Sequence, residues 1–377
     1  MIIAILKETY PGERRAAMIP ADVAKLVKRG SKVSIESGMG AASGHADADF
    51  IKAGAEVHSN RAELMSTADM VIRLRKPSVD DITKLKKSAI HISFLDPFND
   101  REVTKSMAAQ GISAIGMEMM PRSTRAQKMD AISSQASLAG YVAVILAAER
   151  SSKILPMMTT PAGTIQPSRV FIIGAGVAGL QAIATAKRLG ARVDAFDTRP
   201  EVAEQIKSLG GKFFEIDLGE TGKTADGYAK ELTPEQIAKQ RQAMAKQCAL
   251  SDVVISTAQV FGKKAPIIIT KEMVAGMRPG SVVVDLAIES GGNVDGAELG
   301  KELNLNGVLV IGLENLPGHV AVHASQMYSA NVTAFVEEFW DKEKSAFNLN
   351  LEDEIIQRSL VTHGGQIVND MIKKIYA

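Results

Sequence analysis

Three glycines, Gly174, Gly176 and Gly179, form the pattern G-x-G-x-x-G. An apolar run at 169–173 leads into the first glycine, and an amphipathic stretch follows at 177–189. In such a turn the first glycine permits a tight bend, the second lets backbone N–H groups reach a pyrophosphate, and the third lets helix and strand pack closely. The positive helix N-terminus favours the phosphates. The segment predicts a dinucleotide-binding turn; the alternative is a glycine turn in an α/β protein that binds no nucleotide.

Asp197 follows the next expected strand, at 192–196, and lies 18 residues beyond Gly179. A carboxylate at this place hydrogen-bonds the 2′-hydroxyl of the adenine ribose and repels a 2′-phosphate, which favours NAD over NADP. Arg199 weakens that preference because an arginine there can accommodate a 2′-phosphate. The sequence therefore predicts an NAD site, with Val177 and Thr198 among its cofactor-binding residues.

A second polar cluster occupies residues 118–135, between an expected strand at 113–116 and a long helix at 130–150. Loops that follow strands in α/β folds commonly bind ligands. The side chains of Arg122, Gln127, Asp130 and Ser133 could bracket a nicotinamide ring, fix its orientation and hydrogen-bond its carboxamide. The alternative is a solvated loop in which Asp130 caps the helix and Ser133 lies in its first turn.

Short apolar runs alternate with helical patterns in two series. Strands are expected at 2–6, 32–36, 70–74, 89–94 and 113–116, and then at 169–173, 192–196, 212–216, 252–256, 281–287 and 308–312. This alternation predicts parallel sheets covered by helices. The tail at 355–368 resembles a hairpin around Gly364 and Gly365. We predict two Rossmann-like α/β domains, residues 1–134 with 319–377 and residues 135–318, with a cofactor cleft between them.

The composition excludes several classes of protein. With 44 Lys and Arg against 43 Asp and Glu, the net charge of +1 gives no field to attract nucleic acid. The one cysteine, Cys248, excludes an internal disulfide and suits a reducing cytoplasm. His319 and His323 have the spacing of a zinc-binding helix without a third ligand, so no metal is expected. The sequence shows no signal peptide and no run of about 18 strictly apolar residues, so no membrane span is expected.

Residues 217–236 interrupt the second series with Gly219, Gly222 and Gly227 among charged and small residues. The segment lacks hydrophobic periodicity, which predicts a surface loop able to act as a lid. Tyr228 is an aromatic residue within this polar stretch. The alternative is a disordered insert in which the tyrosine is incidental.

The stretches PRSTRAQKMDAISSQASLAGY, GAGVAGLQAIATAKRLGA and VVVDLAIESGGN resemble the soluble NAD(H)-binding component of the proton-translocating NAD(P) transhydrogenase family. The similarity extends from KETYPGERRAAMIP to the C-terminal hairpin. Alanine dehydrogenase is a more distant relative with the same two-domain plan. The resemblance implies an enzyme component that binds NADH and passes hydride to NADP⁺ on a partner, and that is active only with its partner subunits.

The resemblance also implies roles for individual residues. The family's nicotinamide-side loop has Arg, Gln, Asp and Ser at the positions of Arg122, Gln127, Asp130 and Ser133, which we take as the catalytic set. Tyr228 would belong to a loop that folds over NAD(H). Further cofactor-binding positions are Arg125, Gly227, Gln240, Thr257 and Gln259.

For assembly, the resemblance implies a homodimer, an NADP(H)-binding subunit or domain, and a membrane proton-channel subunit. The sequence contains one dinucleotide fingerprint, which agrees with an NADP(H) site on a partner. The chain is therefore expected in the cytoplasm, peripheral to the inner membrane through those partners.

An alanine dehydrogenase-like amino-acid oxidoreductase is the alternative function. That family uses a Lys, a His and an Asp where this chain has Arg75, Asp96 and Glu289, although Arg15 matches its substrate-carboxylate arginine. Without the Lys and the His, proton-coupled amination is poorly supported. Hydride transfer between two nicotinamides needs positioning but no protein acid or base. A third hypothesis, a non-enzymatic NAD-binding regulator, does not account for the polar loop at 122–133.

Overall fold

A computed structural model of the chain describes residues 1–217 and 233–377. Contacts divide these residues into two compact units. The first unit comprises Met1–Gln135 and Gly318–Ala377, and the second comprises Ala136–Pro317. Gly227 and Tyr228 lie outside the described residues.

The N-terminal segment of the first unit alternates strands and helices: β1 (Ile2–Ile5), α1 (Pro20–Lys28), β2 (Lys32–Glu36), α2 (Asp47–Lys52), β3 (Glu56–His58), α3 (Arg61–Thr67), β4 (Met70–Ile72), α4 (Val79–Lys84), β5 (Ile90–Ser93), α5 (Arg101–Ala109) and β6 (Ser113–Gly116). These strands lie side by side in the order β6-β5-β4-β1-β2-β3, and all their pairings are parallel. This is the doubly wound order, and its topological switch point lies between β1 and β4.

Helix α6 (Ala131–Arg150) begins in the first unit and ends in the second. By length and by its mean hydropathy of 1.6 it could cross a membrane, and 44% of its most apolar window is buried. The expectation of no membrane span rested on the polar residues Ser133, Ser134, Gln135 and Ser137, which interrupt any strictly apolar run; the helix meets the hydropathy criterion because its many apolar residues raise the mean. The core helix of a soluble protein meets the same criteria, so this helix is weak evidence for a membrane span.

The second unit continues with β7 (Met158–Thr160), β8 (Gly163–Ile165), β9 (Arg169–Ile173), α7 (Val177–Arg188), β10 (Arg192–Phe196), α8 (Ala203–Ser208), β11 (Lys212–Phe213), α9 (Pro234–Leu250), β12 (Val253–Ser256), α10 (Lys271–Ala275), β13 (Val282–Asp285), β14 (Lys301–Leu305) and β15 (Val308–Gly312). Its main sheet has the order β11-β10-β9-β12-β13-β15-β14, with only β14 antiparallel among the described strands. The switch point lies between β9 and β12.

Helices α6 and α7 pack closely at Gly140, where a Cβ would lie 2.1 Å from the carbonyl oxygen of Ala178.

The C-terminal segment returns to the first unit with α11 (Ala321–Glu338), β16 (Trp340–Asp341), β17 (Ala346–Phe347), α12 (Glu354–Ser359), β18 (Leu360–His363), β19 (Gln366–Ile367) and α13 (Asp370–Tyr376). Strand β18 extends the sheet antiparallel to β6. Helix α11 buries Tyr328, Val332 and Phe335 completely in the core of this unit. Hydroxyls of the same helix also accept backbone N–H groups of the N-terminal segment, which binds the two chain ends into one unit.

The prediction of an α/β fold with two parallel sheets is confirmed. The tail differs from expectation because only β18 and β19 form the hairpin around Gly364 and Gly365, while residues 355–359 are helical. Asp353 starts that helix by accepting the N–H of Ile355 at 2.9 Å. Strand β11 is shorter than expected, and neither the β7–β8 hairpin nor β14 was anticipated.

Candidate functional site

The turn after β9 places its three glycines as a dinucleotide requires. Gly174 has φ +94°, and a Cβ there would lie 2.6 Å from Thr257 Oγ1. A Cβ on Gly179 would lie 1.8 Å from the carbonyl oxygen of Gly174, so α7 touches the turn directly. Around Gly176, by contrast, nothing in the described chain lies within 4 Å of the Cβ position. The backbone at Gly176, beside the N-terminus of α7, is therefore open on that side, and a pyrophosphate at this place stays a prediction.

Asp197 lies beside this turn at the end of β10. Its Oδ2 accepts the N–H of Ala175 at 2.8 Å, and its Oδ1 accepts the N–H of Arg199 at 2.9 Å. The guanidinium of Arg199 also donates to both carboxylate oxygens, from Nε and Nη2, each at 2.9 Å. The carboxylate predicted to bind the adenine ribose is thus paired with the residue that weakens the preference for NAD. Val177 begins α7 and is 45% exposed, and Thr198 is half-buried.

Thr257 follows β12 and contacts the glycine turn. Its hydroxyl donates to the carbonyl oxygens of Ile173 at 3.2 Å and Gly174 at 3.1 Å. Gln259, two residues later, is exposed, and its Nε2 donates to the carbonyl oxygen of Leu286 at 3.1 Å. The structure therefore brings Gly174, Gly179 and Thr257 together. Gln240 is a half-buried residue of α9 for which the structure records no contact with them.

In the first unit, the polar cluster at 122–133 occupies the loop before α6 and the first turn of that helix. Asp130 accepts the N–H of Ser133 at 2.9 Å through Oδ1 and its hydroxyl at 2.6 Å through Oδ2. The helix cap that the sequence left as an alternative is therefore present. It does not exclude a ligand, because a carboxylate offers about four acceptor sites. Arg122 and Gln127 have exposed side chains.

The same loop is anchored to α11. Asn331 Nδ2 donates to the carbonyl oxygen of Lys128 at 2.8 Å, and Asn331 Oδ1 accepts the hydroxyl of Ser134 at 2.7 Å. Ala126 and Met129 are buried in the core of the first unit. The exposed side chains of the loop therefore project from a fixed backbone.

Arg125 is engaged elsewhere in this structure. Its Nε lies 3.4 Å from a carboxylate oxygen of Glu338, and its guanidinium also forms an ion pair with Asp353. These contacts tie the loop to the C-terminal segment. A cofactor contact for Arg125 stays a prediction.

A charged cluster near the N-terminus was not anticipated. The Glu13 carboxylate accepts two hydrogen bonds from the Arg15 guanidinium, of 2.8 and 2.7 Å, one from the Arg15 backbone N–H at 3.0 Å, and one from Arg75 Nε at 2.9 Å. Burial alone would raise the pKa of Glu13, but the hydrogen bonds and charges of the two guanidinium groups lower it to about 2. Gln135 Oε1 accepts from Arg15 Nη1 at 2.8 Å. Arg15, the match to a substrate-binding arginine, is thus held by the carboxylate of Glu13, whose pKa is lowered.

Glu118 is a half-buried residue of the 3₁₀ turn after β6, and its carboxyl oxygen Oε2 is buried. Its Oε1 accepts the N–H groups of Leu95 at 2.7 Å and Asp96 at 2.5 Å, and its Oε2 has no partner in the described chain. Burial raises the pKa of Glu118 to about 7, with the nearby charge of Asp96 adding to the rise against three backbone hydrogen bonds. The residue stood within the polar cluster of the sequence, but no pattern distinguished it.

Replacing Glu118 with glutamine is expected to flatten the pH dependence of stability. Between pH 4.5 and about 7 an unfolded chain loses a proton that the folded chain retains, so the free energy of unfolding falls as pH rises. The variant cannot titrate, so it should avoid a loss of up to about 3 kcal/mol. Urea unfolding across that pH range measures the difference.

The matched control for this exchange is Glu63→Gln, at an exposed glutamate of α3 in the same unit. This control should follow the wild type at every pH. Parallel curves for wild type and Glu118→Gln would contradict the raised pKa.

Comparison with known proteins adds to these observations. The model of the alanine dehydrogenase/PNT N-terminal domain matches residues 4–139, and that of the alanine dehydrogenase/PNT C-terminal domain matches residues 143–370. The first part of the NAD(P) transhydrogenase alpha subunit of Rhodospirillum rubrum is 44% identical over 376 residues, covering 98% of each chain.

Solved structures give the same pattern. A crystal structure of transhydrogenase from Sinorhizobium meliloti has a TM-score of 0.88 at 44% identity, covering 98% of this chain and 100% of that one. An L-alanine dehydrogenase has a TM-score of 0.82 at 25% identity, covering 100% of this chain and 99% of that one. Similarity to transhydrogenase therefore exceeds similarity to alanine dehydrogenase in both sequence and structure.

Proposed function

The chain belongs to the alanine dehydrogenase/PNT family, and from this premise we propose that it is the NAD(H)-binding subunit of a proton-translocating transhydrogenase. In that role it presents NADH for hydride transfer to NADP⁺ held on a partner subunit. Its 44% identity to a transhydrogenase subunit along 98% of both chains is the observation that carries the proposal.

The second unit has the features needed to hold the dinucleotide. The open space at Gly176 would receive the pyrophosphate, and the N-terminal amides of α7 would donate to it. Asp197 would accept the ribose hydroxyls, with Arg199 moving aside or remaining as its counter-ion. Gly227 and Tyr228 would complete the site from the segment outside the described residues.

The loop at 122–133 of the first unit would orient the nicotinamide. Asp130 and Ser133 are fixed by their mutual hydrogen bonds, and the backbone beside Gln127 is anchored to α11 through the carbonyl oxygen of Lys128. Bound NAD(H) supplies the hydride chemistry itself. The chain's contribution is positioning and the exclusion of water, because no protein acid or base is required.

An amino-acid dehydrogenase is the less favoured function. Arg75 and Asp96 occupy the positions of that family's Lys and His, and each is engaged in an ion pair, Arg75 with Glu13 at 2.9 Å and Asp96 with Lys76 at 3.1 Å. An arginine does not give up its proton as the family's lysine does, and Asp96 is paired with Lys76, so the lysine–histidine pair that moves protons at an amine has no counterpart at these two positions.

The proposal extends to partners. The chain is expected to form a homodimer and to bind an NADP(H)-binding subunit together with a membrane proton-channel subunit, which would hold it at the cytoplasmic face of the inner membrane. Sedimentation with membranes that contain those subunits, and not with membranes that lack them, would support this assembly.

An assay of the purified chain tests the function. Alone, with L-alanine and NAD⁺, it is expected to show no turnover. Together with an NADP(H)-binding partner, it should reduce an NAD analogue from NADH in a reaction that depends on NADP(H). Oxidation of alanine by the isolated chain would overturn the proposal.

An Asp197→Ala variant is expected to bind NADH more weakly and to discriminate less against NADPH. It loses a charged hydrogen-bond acceptor worth about 1.5–3 kcal/mol, roughly a tenfold to hundredfold loss of affinity. It also removes the carboxylate that Arg199 binds in this structure, which favours pairing of the guanidinium with a 2′-phosphate. Titrations with NADH and NADPH measure both effects.

Asp194→Ala is the matched control, since Asp194 lies on the same strand and accepts Gln247 Nε2 at 2.9 Å, away from the turn. It should leave the NADH/NADPH ratio unchanged. If the Asp197 variant kept the wild-type ratio, the ribose site would lie elsewhere.

A further inference from the structure

Asn293 is a completely buried side chain in the loop after β13. Its Oδ1 accepts the hydroxyl of Ser256 at 2.8 Å and the N–H of Ala258 at 3.1 Å. Its Nδ2 donates to the carbonyl oxygens of Ala258 at 2.9 Å and Pro266 at 2.8 Å. One amide thus uses its full hydrogen-bonding capacity on segments that lie far from it in sequence.

The backbone of Asn293 is itself fixed by a buried carboxylate. Asp285 Oδ2 accepts the N–H groups of Asn293 at 2.7 Å and Val294 at 2.9 Å, and its Oδ1 accepts that of Ala287 at 2.9 Å. Gly292 has φ +81°, and a Cβ there would lie 3.0 Å from Asp285 Oδ2. The position of the Asn293 amide is therefore determined by the end of β13.

The residue that Asn293 holds lies at the predicted dinucleotide site. Ala258 stands between Thr257, whose hydroxyl donates to the carbonyl oxygen of Gly174, and Gln259. Asn293 binds both the N–H and the C=O of Ala258, as a neighbouring strand would. Strand β12 ends here on the side of the switch point opposite β10 and Asp197. In doubly wound folds the two halves of a dinucleotide lie on the two sides of that point.

We propose that Asn293 is a positioning residue for NAD(H), which holds residues 257–259 in the place where they contact the nicotinamide half of the dinucleotide. The inference rests on the proposed NAD(H) function and adds to it a residue that does not itself reach the ligand. An apolar side chain at this place would remove the partner that Asn293 gives to the N–H and C=O of Ala258 and to the C=O of Pro266, and the segment would shift to satisfy them.

Binding of NADH and of AMP, which contains only the adenosine half, separates positioning from general stability. Asn293→Ala is expected to raise the Kd for NADH by about tenfold or more. Its Kd for AMP should change much less, because the structure records no hydrogen bond between Asn293 and either Asp197 or the three glycines of the turn, which would bind the adenosine half. The fluorescence of bound NADH should shift toward that of free NADH. Equal losses for both ligands, or no loss for either in a folded variant, would overturn the inference.

Two further variants keep the test decisive if Asn293→Ala folds poorly. Asn293→Asp keeps one acceptor but places an oxygen against two carbonyl groups, so its NADH affinity should be low and should recover as acid pH protonates it. Ser256→Ala removes one hydrogen bond of the same amide without touching Ala258, and it should leave NADH binding unchanged. If Ser256→Ala weakened NADH binding as much as Asn293→Asp does, the effect would come from general loss of structure, and the inference would be contradicted.

Wild-type binding of NADH is measured first, because its absence would refute the proposed function itself. With wild-type binding established, the NADH/AMP comparison refutes or supports the role of Asn293 alone.

Discussion

A Gly176→Ala variant is expected to fold like the wild type and to bind NADH at least about tenfold more weakly. The residue has φ −76°, which alanine adopts readily, and nothing in the described chain lies within 4 Å of the added methyl group. The methyl group would instead occupy the space through which the pyrophosphate reaches the backbone amides of α7. Thermal unfolding and NADH titration of the same preparation measure the two properties.

The neighbouring glycine should behave in the opposite way. A methyl group at Gly179 would lie 1.8 Å from the carbonyl oxygen of Gly174, so Gly179→Ala must displace α7 from the turn and is expected to destabilise the second unit severely. Gly276→Ala is the control, because its Cβ would meet only carbonyl oxygens at 3.4 and 3.6 Å. If Gly176→Ala bound NADH normally, the pyrophosphate would not lie beside this residue.

Arg122→Ala and Gln127→Ala are expected to slow hydride transfer by about a hundredfold while changing NADH affinity much less. Both side chains are exposed on a loop whose backbone is held by Asn331, so their truncation should not disturb the fold. Their proposed role is to orient the nicotinamide ring. Small displacements of a reacting group lower the rate of the reaction more than they lower the binding affinity. Single-turnover kinetics with an NADP(H)-binding partner measure the rate of hydride transfer, and NADH titration measures the affinity.

Lys128→Ala serves as the control for this loop. Lys128 is exposed in the same 3₁₀ turn as Gln127, and only its backbone carbonyl oxygen is engaged by Asn331. Its loss should leave both rate and affinity at the wild-type level. A fall in affinity without a fall in rate for Arg122→Ala and Gln127→Ala would contradict the positioning role.

Much of the fold follows from local patterns in the sequence. The strands Lys32–Glu36, Arg169–Ile173 and Val308–Gly312 have the bounds that their apolar, β-branched runs predict. Their side chains are mostly buried, as expected for strands covered on both faces. The β7–β8 hairpin was not predicted because its residues are exposed and therefore carry no burial pattern. Residues 355–359 read as a strand because short apolar runs do not distinguish strand from helix.

Some residues of the candidate site could be predicted from the sequence, and others could not. The glycine turn and Asp197 follow from a spacing that the chemistry of a dinucleotide imposes locally, and the structure shows that turn in the expected form. The pairing of Asp197 with Arg199 is also local, and the sequence already pointed to the competing influence of that arginine. Asn293 belongs to the stretch VVVDLAIESGGN, yet its role could not be inferred, since its partners Ser256 and Pro266 lie 37 and 27 residues away.

The sequence by itself determined the alternation of strands and helices, the dinucleotide fingerprint and the resemblance to a family, because each depends on residue types at short spacing. The tertiary structure alone decided which charges are neutralised and which groups are buried. Arg15 donates a hydrogen bond to Gln135, which lies 120 residues away in the sequence. Glu118 accepts the N–H groups of Leu95 and Asp96 only when β5 and β6 pair. Electrostatic energy and desolvation depend on distance and burial in space, so the lowered pKa of Glu13 and the raised pKa of Glu118 exist only in the folded chain.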